Sequence, residues 1–350
     1  MTPRPTARRQ RGAALLLALL IMTLVATLAA GMVWLQWRGI EVETAERARG
    51  QAQWLLNASL DWGNLILKSS IRRTHNDDDL GQPWATPLAE TKLSSFLSAD
   101  GRHSDDSGPE AYLSGQITDA QSKYNLYNLV VFGPSTGKTT EIVRLQTLFQ
   151  AIGVSPDVAT TIAANLRASA SASAQQNAGN TGTQVDPAAM LMPVELRDLA
   201  WYGIDPKVIK QMEPFVQIIA FAPQQVQGAV GAPNMAINVN TAPAEAIMAG
   251  CPGLSRAQAE QLILQRRQRP FDDAQQLAAT LKGSRTGQLP CDGQNSQPGL
   301  LLDVKSSFFE IYGQLRYEQH VIRERSVIYR KDQFTPVQVL RRERLPPDAT

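Results

Sequence analysis

Residues 8–37 read RRQRGAALLLALLIMTLVATLAAGMVWLQW, and they decide the architecture. Arg4, Arg8, Arg9 and Arg11 lead into the junction Gly12-Ala13 with no acidic residue among them, and about 25 uncharged residues follow. At ~1.5 Å per residue this run makes a helix roughly 37 Å long, enough to cross a ~30 Å hydrocarbon core. Because every arginine lies on one side, the positive-inside rule keeps the N-terminus in the cytoplasm and sends everything after Trp37 outward.

Three readings compete for the segment. A cleavable secretory signal has an apolar core of only about 7–15 residues before a small-x-small site, much shorter than the run found here. A plain anchor accounts for charge and length but not for the abrupt Arg11-Gly12-Ala13 junction. That junction resembles the cleavage site of type IV prepilins and type II secretion pseudopilins. The resemblance implies a cut between Gly12 and Ala13 by a prepilin peptidase, methylation of the new N-terminus, and retention of the apolar helix.

The sequence beyond the span favours a retained helix. No proline occurs between Thr6 and Gln82, so nothing removes a helical N–H or clashes with the preceding turn. Ala45, Ala48, Ala52, Leu55, Ser59, Trp62 and Ile66 recur at steps of three and four and form a stripe, with Glu41, Glu43, Glu46, Arg47 and Arg49 on other faces. One helix over 13–73, transmembrane over 13–37, is the expectation. Two helices broken near Gly39 or Gly50 are the alternative.

Composition narrows the function classes. A chain of 350 residues, 43% apolar, can build two modest cores beside the membrane helix. A net charge of +2 carries no bulk signal for nucleic acid or an acidic substrate. Cys251 and Cys291, the only two cysteines, read as one disulfide in an oxidising compartment, with two buried thiols as the alternative. His75, His103 and His320 are scattered, which argues against a zinc site.

Residues 71–110 are rich in Asp, Gly and Pro and read as loop; Asp77, Asp78, Asp79, Asp105 and Asp106 are expected to be solvated there. AYLSGQIT (111–118) is a strand signal. The stretch LVVFGPSTGKTT imitates a phosphate loop, with Lys138 and Thr139 in place and Asp303 posing as a magnesium ligand. Gly133 and Gly137 enclose three residues where that loop needs four, so a polar turn before a helix is expected. Residues 141–280 are helical in pattern and self-similar. Copies align on Gly153, Gly203 and Gly253, spaced 50 residues apart, each followed by a helix-capping Ser155, Asp205 or Ser255. Residues 168–184 and 224–234 are low-complexity and read as mobile loops. Beyond Cys291, SSFFEIYGQLRYEQHVIRERSVIYRKD and PVQVLRRERL alternate as antiparallel strands do.

Three further stretches extend the resemblance to the protein K family of type II secretion. They are DAQSKYNLYNL, with Asp119, Asn125 and Asn128 in its polar positions, INVNTAPAEAIMAGCPGL, starting at Ile237, and the strand Ser306-Ser307-Phe308-Phe309. Asn238, Asn240 and Thr241 are expected to cap helices and bond neighbouring backbone. The second stretch is also similar to helix-hairpin-helix DNA modules, but Gly253-Leu254-Ser255 lacks the second glycine. Arg256, Arg266, Arg267 and Arg269 therefore read as a solvated helix face. A membrane-anchored DNA-binding protein of competence type remains the alternative.

The resemblance implies an α+β fold: a long N-terminal transmembrane and amphipathic helix, a pilin-like antiparallel sheet head, and a large all-α, helical-hairpin (SAM-like) domain inserted between strands. Expected boundaries are a leader at 1–12, the helix at 13–73, the first head part at 74–130, the insert at 131–285 and the β part at 286–350. It further implies a non-enzymatic minor pseudopilin at the tip of a periplasmic pseudopilus, with the I and J minor pseudopilins, then other pseudopilins, as partners. Leu17 stands where most pilin helices carry a glutamate that pairs with the subunit ahead; a tip subunit has none ahead and gains by burying no charge in lipid. Family members hold structural calcium in the head, for which Asp292 and Asp303 are candidate carboxylates. No catalytic cofactor is implied.

Overall fold

Helix α1 spans Arg11–Arg73 without interruption, passing through Gly39 and Gly50, where an added Cβ would meet nothing within 4 Å. Absence of proline and of steric demand at either glycine leaves the chain no reason to break. The computed structural model describes residues 11–73, 77–92, 111–131, 136–177, 191–220, 235–282, 291, 299–317, 320–332 and 334–346. The chain divides into two units, Met1–Ala58 and Ser59–Thr350. The first is the apolar part of α1, exposed over Leu15, Leu16, Leu17 and onward to Trp37 and long and apolar enough to cross a membrane.

The second unit contains the end of α1, a sheet and a helical insert. The sheet strands are β1 (Leu88–Lys92), β2 (Ala111–Asp119), β7 (Phe308–Tyr317), β8 (His320–Tyr329) and β9 (Gln338–Leu345), in the order β1-β2-β7-β8-β9 and antiparallel throughout. Residues 88–92, which the sequence pattern assigns to a loop, form the edge strand β1. LAETK has no run of β-branched residues and pairs β2 with a register shift between Leu88 and Thr91. The pairing of β2 with β7 is unbroken from Ala111 opposite Tyr317 to Asp119 opposite Phe309, although the whole insert lies between them in sequence.

One sheet face receives α1. Leu60 and Leu67 of the helix pack with Trp84, Phe309, Ile311 and Ile328, and Trp84 meets Phe309 edge-on at 5.3 Å. The helix residues buried here are Leu60, Gly63, Leu67 and Ser70, one position on from the expected Ser59, Trp62 and Ile66. A shift of one residue turns the buried stripe by about 100° about the helix axis, onto the face that carries the aliphatic Leu60 and Leu67 with Gly63 between them, and leaves the bulky Trp62 37% exposed. Gly63 also lets the backbone approach, since a Cβ there would stand 3.2 Å from Ile311 Cδ1.

The insert follows two-residue β3 (Tyr124–Asn125) and comprises α2 (Thr136–Ile152), α3 (Pro156–Asn177), a 3-10 segment Leu196–Tyr202, α4 (Pro206–Met212), α5 (Ala244–Gly250), α6 (Arg256–Gln268) and α7 (Ala274–Lys282). Short parallel ties brace it: β3 with β4 (Val216–Gln217), and β5 (Ile237–Asn238) with β6 (Leu302–Asp303). Its core is one cluster that includes Leu145, Phe149, Ile162, Met212, Ile247 and Phe271. The three aligned glycines are the positive-φ glycines of the described residues: Gly153 at 75°, Gly203 at 76° and Gly253 at 100°. Each is followed by a capped helix. Asp205 accepts from Lys207 N at 2.8 Å, Ser255 and Gln258 form a reciprocal capping box, and Ser155 accepts more weakly from Asp157 N at 3.4 Å. Helix α3 runs through the Ala-Ser stretch to Asn177, because alternating Ala and Ser suffices for a helix once one face is buried. The other low-complexity stretch, 224–234, lies outside the described residues.

Candidate functional site

The polar residues of DAQSKYNLYNL and INVNTA converge on one buried joint. Asp119 ends β2 at 5% exposure. Its Oδ2 accepts from Asn238 Nδ2 at 3.0 Å, Thr241 Oγ1 at 2.5 Å and Ser306 Oγ at 2.6 Å, while Oδ1 accepts from Gln121 N at 2.7 Å. Burial pushes its carboxyl up to about 6; the bonds from Ser306 and Thr241 oppose the shift and the nearby Asp78 charge adds to it.

Asp78 is the second carboxylate, 5% exposed and not solvated as its acidic neighbours suggest. Arg330 explains why. Its Nη2 lies 2.6 Å from both Asp78 oxygens and 2.8 Å from Ser306 O, and its Nη1 donates to Leu67 O at 3.0 Å and Ser70 Oγ at 3.2 Å. The guanidinium also stacks 4.6 Å over Phe309. Asp78 in turn accepts from Ser306 N at 2.9 Å through its side chain and from Asn238 Nδ2 at 2.8 Å through its backbone oxygen. The last turn of α1, the loop after it, the end of β2, the start of the β5 segment, the approach to β7 and the end of β8 therefore meet in one hydrogen-bonded set. A buried charge pair survives in such a place only when its remaining donors and acceptors are matched.

Three asparagines act as detached pieces of β-ladder. Asn125 exchanges two bonds with Ile219, both 3.0 Å; Asn128 with Met235, both 3.1 Å; Asn240 with Phe271, both 3.0 Å. A carboxamide carries donor and acceptor side by side, so it can satisfy a backbone N–H and C=O at once in the interior. The expected local bond exists as well, from Asn240 N to Asn238 Oδ1 at 2.9 Å, but the larger role is long-range. A second buried set ties α2 to the signature. Arg144 pairs with Glu141 at 3.0 Å and donates to Ala249 O, Gly250 O and Gly299 O, and Tyr124 donates to Glu141 at 2.8 Å. Burial raises the Glu141 carboxyl and Arg144 pulls it back.

Cys251 and Cys291 are joined, with Cα atoms 5.3 Å apart. The arginines expected on a solvated face are largely committed. Arg266 donates to Val239 O and to Ala242 O, and desolvation lowers its pKa to about 10. Arg256 pairs with Glu245 and Glu260, and Arg269 with Asp272 at 2.7 Å. Arg256, Arg267 and Arg269 nevertheless stay exposed, as expected of a solvated helix face, and only Arg266 is part-buried; the DNA-binding alternative has no support. Asp303 accepts from Val304 N at 2.7 Å; Asp292 lies outside the described residues, as do Gly133, Asp105 and Asp106. No group of three metal-ligating side chains occurs among the described residues. Gly12 and Ala13 fall in the first turns of α1, and Leu17 is an exposed residue of its apolar part.

The protein-family model for type II secretion system protein K matches residues 237–293, a span that opens on Ile237 and contains Asn238, Asn240, Thr241 and both cysteines. "Type II secretion system protein K" of Pectobacterium carotovorum subsp. carotovorum is 27% identical over 356 residues, covering 96% of each chain. Both comparisons make the chain similar to type II secretion system protein K. Among solved structures, a chain from the GspK-GspI-GspJ complex of enterotoxigenic Escherichia coli aligns with a TM-score of 0.57 at 16% identity, covering 86% of this chain and 98% of that one. At that identity the likeness is one of fold: mixed helix and sheet. The chain carries one N-terminal helix long and apolar enough to cross a membrane. Sequence patterns alone missed Asp78, Ser306 and Arg330 as parts of the joint. The sequence signals that pointed there were Asp119, Asn238 and Thr241, polar positions of the two quoted stretches that the structure brings together.

Proposed function

We propose that the chain is a minor pseudopilin at the tip of a type II secretion pseudopilus, needed for its assembly and for protein export, and that it works without catalysis of its own. The observation that carries this reading is a membrane-length apolar helix that continues unbroken into the head, in a chain that aligns end to end with a protein K relative. The GspK-GspI-GspJ complex supports the I and J minor pseudopilins as partners. Arg4, Arg8, Arg9 and Arg11 support a cytoplasmic N-terminus and a periplasmic head, and a disulfide suits that compartment.

N-terminal sequencing of the mature membrane protein tests the processing. An N-methylated Ala13 is expected; an intact Met1, or a cut near Ala30, in cells possessing prepilin peptidase overturns it. Leu17→Glu tests the tip position, because it places a carboxylate with no amino terminus ahead of it in lipid. Processing should persist while assembly and secretion fall, and unchanged secretion refutes a tip-specific role for Leu17.

A further inference from the structure

The insert touches the last strand of the head through two acids. Glu195 caps the start of the 3-10 segment Leu196–Tyr202, and Glu343 lies on β9. Their side chains are only 16% and 18% exposed, and both border a cavity of about 250 Å3 between insert and sheet. The two carboxyl groups hydrogen-bond each other. Ionised carboxylates offer acceptors only, so this bond needs a proton between them. The charged groups around the pair do not supply a substitute. Arg197, on the same segment, meets Glu195 at 2.7 Å but is itself 79% exposed, where water and salt screen it. Arg325 of β8 pairs with Glu343 at 2.6 Å and is shared with Glu310 and Tyr312 of β7. Arg341 of β9 lies 3.9 Å from Glu343 and donates to Val194 O at 2.6 Å. Asp198 is occupied by Val194 N and Glu195 N, both at 2.9 Å. Lys123, before β3, and Glu213, after α4, complete the charged lining. The bond to Glu343, aided by burial, raises the Glu195 carboxyl above its ordinary value. Burial resists the opposite shift in Glu343, but the bond from Glu195, with Arg325 and Arg341, draws that carboxyl down.

We propose that Glu195 and Glu343 form an acid-closed latch between the insert and β9: a proton shared between them seats the start of the 3-10 segment on the strand, and its loss lets that segment lift. The sign follows from Glu195. With its carboxyl raised, the fold keeps a proton that the unfolded chain releases above the ordinary 4.5, so the latch is fully stabilising below 4.5 and weakens as pH rises through the raised value. Glu343, drawn down, contributes in the opposite sense and loses its charge only below 4.5, so it stays an acceptor while the latch is closed. At higher pH the Arg341 bond to Val194 O is left to oppose two negative charges in contact.

Hydrogen exchange of the full chain in lipid nanodiscs, at pH 4.5 and pH 8 and corrected for the intrinsic rate at each, tests this. The reporters are the amides of Asp198, Gly203 and Ile204, which donate to Glu195 O, Ala200 O and Leu199 O. In the wild type their protection should fall about 10-fold from pH 4.5 to pH 8, the effect of losing one charge-assisted hydrogen bond. Glu195→Gln sets a permanent donor against Glu343 and should keep the acid level of protection at both pH values; Glu343→Gln, with the donor on the strand, should do the same. Glu195→Ala removes the contact and should give the low level at both. Asp119 also titrates between these values, but it is present in every chain, so the comparison among them isolates the pair. Equal wild-type protection at the two pH values overturns the proposal. So does a fall in both glutamine variants as large as in the wild type, which would place the titrating group elsewhere, or full protection of Glu195→Ala at pH 4.5.

Discussion

Replacing Asp119 by asparagine should change how the stability of the head depends on pH. In the folded protein this carboxyl titrates near 6, against the ordinary 3.8, because burial disfavours its charge more than its four donors favour it. The folded state therefore holds a proton that the unfolded chain has released between those two values. The associated stabilisation is fully present below pH 3.8 and is lost as pH rises through about 6. A shift of that size corresponds to about 3 kcal/mol for a group with no solvent access. Asparagine keeps an acceptor for Gln121 N but opposes an NH2 to Asn238, Thr241 and Ser306. Both hydroxyls can rotate, and Thr241 Oγ1 already lies 3.4 Å from Asn238 O. The variant should thus fold, be less stable than the wild type by about 3 kcal/mol or more at pH 4, and lose most of that deficit by pH 8. Urea denaturation of the detergent-solubilised chain, followed through Trp84, which packs on Phe309 in the core that adjoins the joint, gives the difference at each pH. A deficit that stays constant from pH 4 to 8, or grows with pH, refutes the reasoning. Asp119 would then be as well solvated in the joint as in the unfolded chain.

Other substitutions separate the remaining contributions. Cys251→Ala with Cys291→Ala opens a loop of separation 40 and should cost about 4 kcal/mol, lowering the melting temperature by roughly 10 °C; an unchanged melt would mean the loop is already ordered without the bond. Asn240→Ala strands the Phe271 N–H and C=O and should cost about 2–3 kcal/mol in the same denaturation experiment, with Asn240→Asp recovering only the acceptor half. Gly203→Ala meets no atom within 4 Å yet sits at φ 76°, so a loss of about 1–2 kcal/mol would come from backbone strain alone. Gly39→Ala, helical and equally open, should show no such loss.

What could be read from the sequence is what repeats or runs on locally. An unbroken apolar stretch without proline gave the helix. Three glycines at equal spacing, each before a capping side chain, gave three turns of the same kind, because a left-handed turn residue and an N-cap are both satisfied within a few positions. Alternation in the last 45 or so residues gave β7, β8 and β9 for the same reason. The edge strand β1 escaped because five mixed residues at a sheet margin need only one partner and leave no alternating trace. The joint escaped for a deeper reason. Arg330 and Asp78 are 252 residues apart, and Ser306 and Asp119 are 187 apart, so no window of sequence contains the charge balance that makes either acid tolerable. Asp78 among three aspartates looks solvated, and Arg330 beside Lys331 and Asp332 looks like surface. Each becomes a core residue only because β2 and β7 pair across the insert and bring the end of α1 and the INVNTA segment to the same place. The polar residues of that segment are thus explained by the fold's long-range closure: a head interrupted by a large insert needs matched donors and acceptors where its separated pieces rejoin, and apolar packing alone would not fix which pieces meet.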